Sequence, residues 1–329
     1  MIARHLIRLS IVLVAAISTA CAVDAQSIAV TGTFERALDV NGPVNLDVKT
    51  GSGSIRVRRG SGNQVRVVGH IRAQRGFWNS LSAEERVRGI EQNPPIMQSG
   101  NSIEIGELER RDLGRNVSIS YELTVPDDTR LHSRTGSGSH DIDSIHGPVE
   151  AETGSGSIHV GRIGGSVSAT TGSGSIEVLG ATDGLTASTG SGSVTARQMM
   201  GSVKARSGSG RIDIEYSGAG DGDFGTGSGS ITVTGANGRL RAHAGSGSIT
   251  VDGHPSNDWS IDTGSGSVTL RLPPNAAFDL DASTGSGSVS TRHPIETLGS
   301  LSKKHLQGRV RGGGPRLQVS ASSGSIHLD

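Results

Sequence analysis

Aliphatic residues recur at fixed distances from a short glycine-serine phrase along most of the chain. The phrase is "TGSGSIHV" at 153–160 and "TGSGSIEVL" at 171–179. With the second glycine of each phrase as a marker, eight of the ten successive spacings fall between 18 and 21, and the others are 85 and 37. The markers are Gly53, Gly138, Gly156, Gly174, Gly192, Gly210, Gly229, Gly247, Gly266, Gly287 and Gly324. Self-similarity at such a period indicates a repeat protein.

Three apolar columns accompany the marker. The position two residues after it holds isoleucine or valine in every repeat except one, where His140 stands. Two more columns lie four residues after and seven residues before the marker, and alanine is usual five before it. Each repeat therefore predicts two short strands with period-two alternation, joined by a Gly-Ser corner. The predicted core ladder contains Ile158, Ile176, Val194, Ile212, Ile231, Ile249 and Val268.

A period of 18 is too short for a repeat that contains a helix or for a propeller blade. We therefore expect an all-β fold, a right-handed single-stranded β-solenoid in which each strand pairs in parallel with its equivalent in the next coil. A further inward column seven residues after the marker predicts a third short side and a triangular cross-section; it holds Ile145, Ile163, Ala181, Met199 and Ala236. The corner glycines from Gly138 to Gly287 are predicted to allow positive φ and close backbone approach. Corner Ser and Thr are expected to bond the backbone there.

Two segments interrupt the period. Strand-like alternation at 64–73, 102–108 and 117–125, with a capping box at Ser82 and Glu85 before a short helix, predicts an N-terminal cap over 60–130. The segment 293–317 carries Lys303, Lys304, Arg309 and Arg311 and is interpreted as a loop over the C-terminal edge or, alternatively, a binding loop. The predicted organisation is then a first coil at 26–59, the insertion at 60–130, regular solenoid at 131–292, and an interrupted coil with a final strand at 293–329.

The segment 1–25 has the pattern of a secretory signal peptide. Arg4 and Arg8 precede an apolar stretch, and small residues precede a predicted cleavage site after Ala25. The alternative is lipidation at Cys21, the single cysteine of the chain. Either hypothesis predicts an exported protein of the periplasm or cell surface. Cleavage after Ala25 would leave no cysteine for disulfides, and no later stretch is apolar enough for a membrane helix.

The composition and charge of the chain argue against several classes of function. The 329 residues include 50 glycines but only two Trp, two Tyr and four Phe, and the 31 basic residues equal the 31 acidic ones in number. The balanced charge gives no electrostatic reason to expect nucleic acid as a partner. Three pairs of carboxylates are candidates for polysaccharide chemistry, but pairs two residues apart are also typical of a solvated strand face. They are Asp141 with Asp143, Asp213 with Glu215, and Asp221 with Asp223. We predict no enzyme, no cofactor and no metal site.

The repeated phrases, the segment "VPDDTRLHSRTGSGS" and the final "LQVSASSGSIHL" resemble the bacterial putative-adhesin domain of unknown function over 42–329. The resemblance implies an exported β-solenoid. That family commonly has Asp after Gly-Ser-Gly, whereas this chain has Ser at nearly every such position, which argues against corner carboxylates that bind calcium. We expect a non-catalytic envelope scaffold that binds a protein or glycan. A periplasmic sensory or regulatory module and a polysaccharide-acting β-helix enzyme remain the alternatives.

Overall fold

The computed structural model describes residues 29–75, 81–108, 112–297 and 302–329, so the predicted signal peptide and Cys21 lie outside the described residues. Two sheets of 14 and 15 strands, here sheet A and sheet B, enclose one hydrophobic core. The all-β solenoid predicted from the repeats is confirmed, because strands of successive coils pair in parallel and in register. Ile158 lies opposite Ile176 in sheet A, and Val149 lies opposite Val167 in sheet B.

The strands of sheet A contain the residues that follow each corner, together with three strands of the N-terminal region. They are β1 (Val30–Asp39), β3 (Ile55–Arg59), β4 (Gln64–Ala73), β7 (Val117–Val125), β9 (His140–Ile142), β11 (Ile158–Ile163), β13 (Ile176–Ala181), β15 (Val194–Met199), β17 (Ile212–Tyr216), β19 (Ile231–Ala236), β21 (Ile249–Gly253), β23 (Val268–Arg271), β25 (Val289–Thr291) and β29 (Ile326–Leu328).

The strands of sheet B contain the residues that precede each corner, together with elements of the two end regions. They are β2 (Val44–Thr50), β5 (Ile96–Ser99), β6 (Ser102–Ile105), β8 (Thr129–Thr135), β10 (Val149–Thr153), β12 (Val167–Thr171), β14 (Leu185–Thr189), β16 (Val203–Ser207), β18 (Gly222–Thr226), β20 (Leu240–Ser246), β22 (Trp259–Ser265), β24 (Phe278–Ser286), β26 (Ile295–Thr297), β27 (His305–Val310) and β28 (Arg316–Ser323).

The cross-section has two sides, so the predicted triangle is wrong. In four of the five coils named, the inward column seven residues after the marker belongs to the far end of a sheet A strand, as where Ile163 pairs with Ala181; Ile145 instead follows the end of β9. These side chains are buried as the sequence indicates, but within the described residues they form no third sheet of their own. A bulge adds one residue to a β-strand and shifts the alternation of inward and outward side chains beyond it. The spacing of an inward column alone does not distinguish such a bulged strand from a turn that leads to a third side.

The insertion covers the N-terminal end of both sheets. β7 pairs in parallel with β3 and antiparallel with β4, while β6 pairs with β2. The predicted helix is confirmed as α1 (Ala83–Gln92), and Ser82 and Glu85 form both bonds of the capping box. Because the insertion is placed outside the first coil, β2 and β3 still pair with β8 and β9 across the longest marker spacing. In the part of the chain that the structure describes, no helix is long and apolar enough to cross a membrane.

Helix α1 also protects the exposed edge of β1. The backbone N–H of Thr33 points away from β4 and donates to Glu91 Oε1 at 2.9 Å. Arg86 of the same helix is buried and donates to the carbonyl oxygens of Gln74, at 2.7 Å, and Arg115. A helix that occupies the donors of an edge strand removes a template for pairing with another chain.

The C-terminal coil does not lie in sequence order. β28 inserts between β22 and β24, and β29 inserts between β23 and β25. The expectation that each coil stacks on the next in sequence is therefore wrong at this end. The last marker spacing is long because the chain leaves β25, forms the antiparallel β26 and β27 over the end, and returns into the stack.

The segment 293–317 closes the C-terminal edge, as its first interpretation predicts. β27 pairs antiparallel with β24. Beyond it, the carbonyl of Lys303 accepts from Val289 N at 2.9 Å and that of Lys304 accepts from Thr284 N at 2.8 Å. The backbone of this segment therefore satisfies donors that the last coil would otherwise expose.

His140, the exception in the isoleucine column, lies in the core between Ile55 and Ile158. Its Nε2–H donates to the carbonyl of Glu152 at 2.9 Å, and Ser133 Oγ lies 3.1 Å from Nδ1. Ser133 stands where the other coils usually carry alanine, so two departures in one coil form a polar contact between the sheets. Burial lowers the pKa of His140, against the opposing effect of the bond to Glu152. Burial therefore favours the neutral imidazole in the folded protein.

We expect this buried histidine to make the protein less stable in acid. A pKa lowered by folding means that the unfolded chain binds the extra proton first, so stability is complete above about pH 6.5 and falls as the pH drops below it. The loss within that window is at most about 1.4 kcal/mol per pH unit. Ser133→Ala with His140→Ile restores the common column residues and should remove this component. Denaturant unfolding between pH 7.5 and 5 measures it, and identical pH dependence in both proteins would contradict the assignment.

Candidate functional site: the serine ridge

The chain passes from sheet B to sheet A at a corner formed by the Thr-Gly-Ser-Gly-Ser phrase. The serine directly before the second glycine of the phrase points outward and is exposed in every coil. These serines form what we call the serine ridge; in spatial order they are Ser52, Ser137, Ser155, Ser173, Ser191, Ser209, Ser228, Ser246, Ser265, Ser323 and Ser286. With strands about 4.8 Å apart, eleven coils make a ridge about 48 Å long. The serine after the second glycine adds a second outward column, broken by Arg211.

Close backbone contact between coils explains the corner glycines. A Cβ on Gly174 would lie 1.9 Å from the carbonyl oxygen of Gly156 and 2.8 Å from Ser157 N. The same contact, at 1.8 to 2.3 Å from a glycine carbonyl oxygen in the neighbouring coil, is found at Gly138, Gly156, Gly174, Gly192, Gly210, Gly229, Gly247, Gly266 and Gly287. Among these nine, positive φ is restricted to Gly266 and Gly287. Close approach, and not left-handed backbone, is therefore the general reason for glycine here.

A buried hydroxyl ladder fixes each corner from inside. Thr171 Oγ1 donates to the carbonyl of Gly156 at 2.8 Å and accepts from Gly174 N at 3.1 Å. Both bonds recur at Thr135, Thr153, Thr189, Ser207 and Thr226. The predicted bonding of corner hydroxyls to backbone is confirmed. Because these threonines are buried, the hydroxyl groups that their corners present to a partner come from the exposed serines.

The predicted core ladder is buried beneath the ridge. Ile158, Ile176, Val194, Ile212, Ile231, Ile249 and Val268 each have at most 1 % of their surface exposed. Trp259 lies in the same core, where its Nε1–H donates to the carbonyl of Gly238 at 3.0 Å, so it is not an exposed platform for sugars. The Phe, Tyr and Trp side chains within the described residues are all buried, and Trp78 lies outside them.

The candidate catalytic carboxylates are engaged by other groups. Burial would raise the pKa of Asp141, but hydrogen bonds from Arg58 and Arg56 outweigh it and hold the pKa below its usual range. Arg197 donates to both carboxylate oxygens of Asp213, at 3.0 and 3.2 Å.

The other carboxylates of these pairs show the same pattern of protein partners. Glu215 lies 3.6 Å from Arg197, and Asp223 lies 2.7 Å from Arg206. Asp143 accepts from Ser144 N, and Asp221 accepts from Arg239 N, both at 2.8 Å. A glycosidase needs two carboxylates that face a bound sugar, whereas these carboxylates are engaged by arginine side chains or backbone N–H groups.

A family model matches residues 123–329, under the description Toastrack DUF4097. The chain belongs to this family. The matched segment includes every regular coil from β8 onward and the C-terminal cap. The resemblance to a domain of unknown function is thereby confirmed, and the match covers the corners, the ridge and the ladders described above except for those of the first coil. A comparison with curated proteins found no match.

Several solved structures are also similar to this chain. One is a putative adhesin from Bacteroides fragilis, with 12% identity, coverage of 91% of this chain and 97% of that one, and a TM-score of 0.34. A putative lipid binding protein from Parabacteroides distasonis has 12% identity, coverage of 90% and 96%, and a TM-score of 0.40. A putative cell adhesion protein from Clostridium sporogenes has 10% identity, coverage of 91% and 98%, and a TM-score of 0.21.

Proposed function

We propose that the protein is a non-catalytic binding scaffold of the bacterial cell envelope, and that the serine ridge contacts its partner. The observation that supports this most is the ridge itself, a series of exposed serines on a backbone that neighbouring coils hold in register. Exported location is part of the proposal and rests on the signal-peptide pattern of the segment 1–25.

The chemistry of the ridge favours a hydroxyl-rich polymer as the partner. Serine hydroxyls donate and accept hydrogen bonds and carry no charge, so they offer no attraction specific to an anionic or cationic ligand. Each bond contributes only about 1 kcal/mol, but many equivalent bonds along about 48 Å can act together on a repeating ligand. The stacked glycines hold the corners close together, so little ordering is required on binding. An envelope glycan fits these requirements.

A glycan array and a pull-down from envelope extracts test the proposal. The ridge variant carries Ser155→Lys, Ser173→Lys and Ser191→Lys, and its matched control carries three lysines in the same coils on the outer face of sheet A. The control substitutions are His159→Lys, Glu177→Lys and Thr195→Lys. We expect the wild type and the control to bind the same glycan and the ridge variant to lose at least about tenfold in affinity, the equivalent of 1.4 kcal/mol.

Three outcomes would contradict the proposal. Equal loss in both variants would place binding elsewhere. Capture of a signalling protein through the ridge, without any glycan, would favour the sensory alternative. Release of sugar products that is lost in Asp213→Asn would show an enzyme.

A further inference from the structure

The outer face of sheet B carries a cluster of metal-binding side chains that is separate from the serine ridge. We propose that His132, Glu150 and Glu152 bind a divalent transition-metal ion of the zinc class, with Asp47 orienting the imidazole. The donor atoms of His132, Glu150 and Glu152 all lie within 4.8 Å of one another. This site is independent of the proposed ridge function.

Strand register brings the three side chains together. His132 in β8 lies directly opposite Glu150 in β10, and Glu152 follows two residues later on the same face. Because side chains alternate along a strand, all three project from the outer surface of the sheet. The solenoid holds these strands rigidly from both sides, since β8 also pairs with β2 and β10 with β12. A site built on paired strands is therefore preorganised.

The imidazole of His132 is held with one nitrogen toward the two glutamates. Nδ1 lies 3.0 Å from Asp47 Oδ2, where Nδ1–H donates to the carboxylate. In the neutral imidazole this bond leaves the lone pair on Nε2, which lies 3.9 Å from Glu150 Oε2 and is shielded from solvent with no hydrogen-bond partner among the described residues. A carboxylate behind a ligating histidine fixes the ring and its tautomer in metal sites. The uncompensated nitrogen is the observation that points to a ligand.

The donor set selects the class of metal. Imidazole nitrogen with two carboxylates suits zinc, whereas calcium and magnesium prefer oxygen ligands alone. Zinc bonds of about 2.1 Å place tetrahedral donors about 3.4 Å apart. The donor atoms of His132, Glu150 and Glu152, which lie within 4.8 Å of one another, must therefore close to about this value when the metal binds. Three protein ligands leave the fourth position for water or for a group on a partner.

Two cations compete with the metal. Arg134 Nε lies 3.0 Å from Glu152 Oε2, and Lys49 Nζ lies 3.3 Å from Asp47 Oδ1. Zinc must displace Arg134 from Glu152, so removal of this arginine should tighten binding. A merely structural ion-pair cluster predicts no such gain.

Sheet A supplies a matched pair without the third ligand. His159 lies opposite Glu177 at 4.0 Å, which is the same cross-strand arrangement as His132 with Glu150. Leu179 stands where Glu152 stands in the first cluster. The neighbouring Asp141 is bound by Arg56 and Arg58. This pair is therefore the control for simple histidine-glutamate proximity.

Calorimetric titration of zinc into tag-free, chelator-treated full-length protein tests the site. We expect one zinc ion per chain. His132→Ala and Glu150→Gln should weaken binding at least about tenfold, and Asp47→Asn about tenfold to a hundredfold, the range known for outer-shell partners. Arg134→Gln should bind several-fold more tightly than the wild type, and His159→Ala should bind like the wild type.

Other results would overturn the proposal. These are no zinc binding by either the wild type or Arg134→Gln, zinc binding that His132→Ala leaves unchanged, or an equal loss in His159→Ala. Circular dichroism melts of each variant separate loss of ligand from loss of fold. Because the substituted side chains lie on the outer face, we expect unchanged melting temperatures in the absence of metal.

Discussion

Gly174→Ala is expected to lower the free energy of unfolding by about 3 kcal/mol or more, near the upper end of costs for overpacking a well-packed interior. The new methyl group would lie 1.9 Å from the carbonyl oxygen of Gly156 and 2.4 Å from its carbonyl carbon. Both are backbone atoms in a paired coil, so they cannot rotate away as a side chain could. The corner must open, and the bonds of Thr171 to Gly156 and Gly174 are then strained as well. Denaturant unfolding measures the loss.

Gly51→Ala is the matched control for this substitution. Gly51 belongs to the same kind of corner in the first coil, its φ is not positive, and a Cβ there meets nothing within 4 Å. It should change the unfolding free energy by less than about 0.5 kcal/mol, as for most surface substitutions. If the two alanine variants lose stability equally, glycine is present for flexibility in the unfolded or folded chain, and close coil contact is not its reason.

Ile176→Asp is expected to cost about 4 kcal/mol or more, because it combines a lost aliphatic side chain with an unpaired charge in the core. Ile176 is 1 % exposed and lies between Ile158 and Val194 in the same ladder. Within the stack, an aspartate at this position faces aliphatic side chains from both neighbouring coils. We expect a large fall in the melting temperature measured by circular dichroism. If the variant is too unstable to fold, we expect loss of soluble expression.

Glu177→Ala tests the same strand one residue further on. Glu177 is exposed on the outer face of β13, and its removal should change stability by no more than about 0.5 kcal/mol. Comparable destabilisation in Ile176→Asp and Glu177→Ala would refute the alternation on which the fold is built.

The regular part of the fold could be predicted from the sequence because each coil repeats the same pattern of inward aliphatic residues around a Gly-Ser corner. A column of aliphatic residues at a fixed distance from a marker indicates both the strand and its inward face, as at Ile176. The capping box at Ser82 likewise depends only on local bonding and is present in the structure. Information of this kind is available within one repeat.

Features that depend on the order of coils could not be predicted. β29 lies between β23 and β25. The sequence does not indicate which strands the C-terminal strand pairs with, because the strands of all coils have similar aliphatic inward residues. The two-sided cross-section could not be predicted either. A buried residue such as Ile163 is compatible with a longer strand in sheet A and equally with a separate third side.

The histidine cluster has a signal in the sequence, although we predict no metal site from the sequence alone. His132 and Glu150 stand one full period apart, so the repeat alone places them side by side. What the spacing does not reveal is the free nitrogen of His132 or the approach of Glu152, which depend on side-chain rotamers.

Spin-label distances along the ridge test the stacking of the coils most directly. Three variants are made in a chain with Cys21→Ser, and each carries two spin labels. One label is attached at Ser137→Cys, and the other is attached at Ser265→Cys, Ser323→Cys or Ser286→Cys. At about 4.8 Å per coil, separations of seven, eight and nine coils predict about 34, 38 and 43 Å. The account predicts that residue 323 lies nearer to residue 137 than residue 286 does, although it comes later in the chain. A distance to 286 shorter than that to 323, or distances that do not grow with coil number, would contradict it.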